Sequence, residues 1–143
     1  MMTTSAKIDC KSQVQDKCDD RLDQLQTMLI NPDSSEFYEF GLSFEYVPGT
    51  DENPEGYFRY LMSWGGPADE FRFFVGPDYR LYKVEYWFLD WFDGAKVTLS
   101  PDMAVIQDTW TQLTTAISGE LDDTENLQAM VKEAVEVSIL QDS

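Results

Sequence analysis

Alternation of aromatic and polar side chains between Phe37 and Gly94 is the feature that most restricts how this chain can fold. Nineteen of its twenty aromatic residues lie there, Trp110 being the exception. Strands turn successive side chains to opposite faces, so a period of two marks a sheet with one buried side. Tyr38, Phe40, Leu42, Phe44 and Tyr46 alternate with Glu39, Gly41, Ser43 and Glu45, which predicts a first strand over 37–47. Phe58, Tyr60, Met62 and Trp64 mark a second, Phe71, Phe73 and Val75 a third, and Tyr82, Val84, Tyr86 and Phe88 a fourth. The connections are short and rich in turn residues, as in Pro48 to Gly56, Gly65-Gly66-Pro67 and Gly76-Pro77-Asp78. Short connections make neighbouring strands antiparallel, so the expectation is a four-stranded meander, with room for a fifth short strand from Lys96 to Leu99.

The flanks have helical spacing. Val14, Cys18, Leu22, Leu25 and Leu29 recur every three or four residues, and Asn31-Pro32 stops that helix. Ser100-Pro101 opens another, with Met103, Ile106, Trp110, Leu113 and Ile117 on one stripe. Asp122 and Asp123 cap a last one, which turns Leu127, Val131 and Ala134 inward. The predicted fold class is α+β: an N-terminal helix, the meander, and two C-terminal helices packed on one sheet face. A loose N-terminus over 1–12 precedes a single domain over 13–143. Cys10 and Cys18 lie too far apart on one helix for a disulfide, so Cys18 reads as a small buried apolar residue.

Charge restricts function as the aromatics restrict fold. The formal net charge is −17, from 27 acidic and 10 basic residues with no histidine. Seven acidic residues between Asp33 and Glu55 have no basic neighbour in sequence, nor do six between Val97 and Val131. Such a field repels nucleic acid and anionic membrane and steers toward basic surfaces. No apolar run approaches the ~20 residues of a membrane span, and no signal-peptide pattern opens the chain, so the expected compartment is the cytoplasm.

Catalytic arrangements that use histidine are excluded. Asp90 and Asp93, beside Trp91 and Phe92, are the best pair for carboxylate acid–base chemistry, but Trp91 to Gly94 reads equally as a turn. Asp51 to Gly56 resembles the opening of a calcium loop, yet its twelfth position is Met62, so neither metal nor cofactor is expected. On the polar sheet face Arg59, Arg72 and Lys83 stand beside Glu39, Glu45, Glu70 and Glu85, and cross-strand pairing should neutralise that surface. Excess charge is then expected on the rims and terminal helices. The candidate partner-binding residues are Asp51, Glu52, Glu55, Asp69, Glu70, Asp90, Trp91, Asp93, Asp122, Asp123 and Glu125, with Tyr79 and Phe92 as further aromatic anchors.

Residues two apart on a strand lie about 6.8 Å apart, and helical neighbours four apart about 6 Å, intervals at which carboxylates can stand in for phosphates. In this respect the small, acidic, histidine-free chain resembles the DNA-mimic inhibitors of phages and plasmids, including antirestriction and anti-CRISPR proteins. Its stretches WGGPADEFRFFV and YWFLDWFDGA are similar to small proteins of mobile elements. The resemblance implies a non-enzymatic inhibitor that binds a basic surface of a CRISPR or restriction nuclease complex and blocks DNA access. An immunity protein against a toxin and a carboxylate-pair enzyme are the alternatives. A homodimer through the apolar Tyr86 to Phe92 run stays open.

Overall fold

The computed structural model describes residues 10–31, 33–51, 54–64, 67–77, 80–90, 93–118 and 123–142. Helix α1 (Cys10–Met28) and a short helix α2 (Ser34–Phe40) precede five strands: β1 (Ser43–Val47), β2 (Tyr57–Ser63), β3 (Ala68–Val75), β4 (Leu81–Asp90) and β5 (Asp93–Leu99). Helices α3 (Ala104–Ser118) and α4 (Asp123–Asp142) follow. The strands form one antiparallel sheet in chain order, a meander as the short connections require. The class is α+β, with all packed helices on one face. Of the expected loose N-terminus, residues 1–9 lie outside the described residues, and α1 covers Cys10 to Ser12. Among the described residues no helix is long and apolar enough to cross a membrane.

The aromatic side chains predicted to face inward do so in the middle strands. Phe58 and Tyr60 on β2, Phe71 and Phe73 on β3, and Val84 and Tyr86 on β4 are fully buried. Helix α1 lies over β4 and β5, inserting Val14, Cys18 and Leu25 into the core. Helix α3 brings Ile106, Trp110 and Leu113. Trp110, the one aromatic outside the strand region, sits at the centre of the interface. Its ring centroid is 5.9 Å from Phe44, 5.5 Å from Phe58 and 5.2 Å from Phe73, within the range of favourable ring contacts.

Three local expectations are corrected. The strand expected over 37–47 begins only at Ser43, and Ser34–Phe40 is helical. The Asp33 carbonyl accepts the amides of Glu36 and Phe37 at 3.0 and 3.2 Å, opening a turn that places Phe37 in the core. There the Phe37 carbonyl accepts the Tyr60 hydroxyl, which anchors the helix to β2. Second, β5 runs over Asp93–Leu99 rather than Lys96 to Leu99, so Asp93 and Gly94 belong to the strand and not to the turn. Asp93 pairs with Asp90 across the hairpin. Third, alternation fails at the sheet's ends, where Leu42 and Trp64 are exposed instead of inward.

Candidate functional site

The two faces of the molecule divide its charge. On the open face of the sheet Arg59, Arg72, Lys83 and Lys96 each have a carboxylate partner. Arg59 pairs with Glu45 directly across β1 and β2. Arg72 Nε reaches Glu70 at 2.7 Å along the same strand, Lys96 reaches Glu85 at 2.9 Å, and Lys83 reaches Glu55 at 2.7 Å. The expected neutralisation of this face is therefore present; of these four ion pairs Arg59–Glu45 joins directly opposed positions, and Arg72 also stands opposite Glu85 in the register. Glu39 takes no part, because it lies on α2.

Aromatic rings order these cations. The Arg72 guanidinium lies 4.8 Å from the Tyr57 ring centroid and 4.2 Å from that of Trp87. Lys83 Nζ stands 4.3 Å over Phe74. Contacts of this kind contribute about 0.5–1 kcal/mol where water has access and more where it does not. Glu85 is buried among them, receiving Trp87 Nε1 at 3.0 Å as well as Lys96. Burial pulls its carboxyl upward in pKa, but these donors outweigh burial and hold it below its ordinary value. These residues, with Val47, Pro48, Thr50, Pro54 and Glu55, border a cavity of about 470 Å³.

The helical layer differs. Helix α1 exposes Asp16, Asp19, Asp20 and Asp23 against Lys11 and Lys17. Glu36 and Glu39 are exposed on α2, Asp108 on α3, and Glu133 and Glu136 beside Lys132 on α4. The carboxylate excess of the described residues lies on this layer.

Among the described residues, those nominated for a partner site do not form one surface. Asp51 is exposed in the β1–β2 connection, and Glu55 is tied to Lys83 and to the Tyr82 hydroxyl, which donates over 2.6 Å. Asp69 and Glu70, expected on a rim, are buried within β3 at 4% and 3% exposure. The reason is a partner that lies far away in sequence. Arg21 on α1 grips Asp69 through Nε at 2.7 Å and Nη2 at 3.1 Å, while Ser63 and Tyr86 also donate to it. Asp69 thus fastens α1 to the sheet. Asp90 is half-buried and Asp93 exposed where β4 meets β5. Asp123 opens α4 and Glu125 lies in its first turn. Glu52, Trp91, Asp122, Tyr79 and Phe92 lie outside the described residues, as does Asn53 of the stretch resembling a calcium loop.

Sequence reasoning expected excess charge on the terminal helices but nominated none of the α1 carboxylates Asp16, Asp19, Asp20 and Asp23 as partner-binding residues. It also missed the cavity, whose signal is weak: Tyr57, Arg72 and Trp87 come from three strands and share a face only once the register is known. No family model matches this chain, and neither a curated protein nor a solved structure matches it.

Proposed function

We propose that this protein is a non-enzymatic inhibitor whose helical layer presents carboxylates to a lysine- and arginine-rich surface. The target class is the nucleic-acid-binding cleft of a CRISPR or restriction nuclease complex, which the inhibitor closes to DNA. The separation of charge carries this reading. The sheet face pairs its cations internally, so they do not screen the acidic helices on the other side. On α1, Asp16 and Asp20 stand one helical turn apart, at about 6 Å along the axis, and Asp23 continues their stripe. A cleft lined to receive phosphates meets there a rigid series of anions.

The test is binding of the full chain to a panel of purified CRISPR and restriction nuclease complexes, with DNA as competitor. At least one complex should bind and lose DNA cleavage. Its affinity should fall at least about tenfold as ionic strength rises from roughly 0.05 to 0.5 M. Asp16→Lys, Asp20→Lys and Asp23→Lys together should abolish the interaction. Affinity indifferent to salt, or full binding by the triple variant, overturns the reading.

A further inference from the structure

The cavity on the open sheet face has a chemistry unlike the rest of the molecule. Three of the chain's ten basic side chains, Arg72, Lys83 and Lys96, line it against two carboxylates, Glu55 and Glu85. With Glu70, which holds Arg72 from beside the cavity, the charges there balance at three against three, in a protein of net charge −17. Its volume of about 470 Å³ falls within the range of sites for small molecules.

Arg72 is the centre of the site. Two rings, Tyr57 and Trp87, hold its guanidinium, and Glu70 fixes its Nε edge. Neither Nη nitrogen has a protein acceptor among the described residues, and neither is a buried orphan. An ordered guanidinium with its Nη edge open matches the two oxygens of a carboxylate or phosphate. Lys83 and Lys96 each give one N–H to a glutamate, leaving donors for the same anion. Trp87, Tyr57 and Phe74 add aromatic surface against which a flat ring can pack.

We propose that this cavity binds a small molecule in which an oxyanion is joined to a planar ring, of about the size of a nucleoside monophosphate. Arg72 grips the oxyanion, Lys83 and Lys96 supplement its charge, and the aromatic walls hold the ring. The site lies on the face opposite the acidic helices, so it stands apart from the inhibitor reading and survives that reading's failure.

Calorimetric titration of the full chain tests it with adenosine monophosphate, uridine monophosphate and indole-3-carboxylate, against inorganic phosphate and adenosine. At least one ring-bearing anion should bind saturably with a Kd of about 1 mM or tighter. Preference for the nucleotides assigns a phosphate ester, and preference for the indole acid assigns a carboxylate. Arg72→Lys keeps the charge but removes the fork and should weaken binding at least about tenfold. Lys83→Gln gives up the ion pair with the half-exposed Glu55 and the contact over Phe74, neither of which joins the helices to the sheet, and so tests the site without threatening the fold; it should weaken binding about threefold or more. The proposal is overturned if no ring-bearing anion saturates, or if inorganic phosphate or adenosine binds as tightly. It also fails if both variants bind like the wild type.

Discussion

Tyr86 donates its hydroxyl to the carboxylate of Asp69 over 2.6 Å, a contact between β4 and β3 on the helix-covered side of the sheet. Because Arg21 grips the same carboxylate, one buried anion joins α1 to two strands. Burial pushes the Tyr86 phenol pKa well up, and the adjacent carboxylate pushes it further, so the phenol stays protonated, and a donor, near neutrality.

Removing Asp69 should therefore be costly. In Asp69→Ala the Tyr86 hydroxyl and the inner side of Arg21 lose their acceptor, and the expected destabilisation is about 3 kcal/mol. Asp69→Asn keeps the shape but not the charge, and about half that loss is expected. Urea unfolding monitored by tryptophan fluorescence measures both. A change in midpoint with an unchanged slope is the expected signature.

The same carboxylate makes stability depend on pH in a definite direction. Burial raises the Asp69 pKa, but hydrogen bonds from Arg21, Ser63 and Tyr86 outweigh it and hold the group below 3.8. In acid the unfolded chain then binds more protons at this site than the folded one, so stability falls as pH falls. The wild-type advantage over Asp69→Asn should be complete above pH 3.8 and shrink as pH drops through the lower folded value. Paired urea titrations from about pH 6 to about pH 3 measure it, and a constant difference would refute the assignment.

Helix α1, the middle strands and α3 were legible in the sequence because their periodicity is long and their inward residues meet the same core. Val14, Cys18 and Leu25 are buried as their spacing predicts, and so are Phe58, Tyr60 and Met62. Segment 34–40 was not legible. Its aromatic residues also fit a period of two, and a helix of seven residues has too few turns to show the other period. The burial of Asp69 was hidden for another reason: its partner Arg21 is 48 residues away, and no local pattern connects them. The neutral sheet face was readable from Glu45 and Arg59, whereas the ring sandwich around Arg72 needed the register of three strands.

Gly41 shows what the missed turn requires. A Cβ there would lie 2.6 Å from Tyr60 Cε1 and 2.8 Å from the Leu61 carbonyl oxygen, which belongs to β2 and cannot swing away. Gly41→Ala should destabilise the protein by about 1–3 kcal/mol, the range for an overpacked interior. Thermal unfolding beside a control substitution at the exposed Leu42 measures it.

Cys18 should be chemically silent in the folded protein. It is fully buried, and burial, reinforced by Asp19, pushes its thiol up to about 12, so almost no thiolate exists near neutrality. In a Cys10→Ser background at about pH 8, a disulfide reagent should react at least about a thousandfold more slowly with folded than with unfolded chain. Native reactivity approaching that of a model thiol would show that α1 leaves the sheet readily.

The acidic face of α1 should weaken the fold, in contrast to Asp69, which strengthens it. Asp16 and Asp20 lie four apart on the exposed side of one helix, as do Asp19 and Asp23. Like charges at that spacing repel by about 0.2–0.5 kcal/mol per pair. Asp20→Lys turns its repulsions with Asp16 and Asp23 into attractions, loses its attraction to Lys17 and touches no core residue, so the expected result is a net gain of about 0.5 kcal/mol in low salt that fades as salt is added. Unfolding midpoints at two ionic strengths measure it. A stabilised Asp20→Lys variant that binds the proposed basic target more weakly would separate recognition from folding, because its weaker binding could not then be attributed to a damaged scaffold.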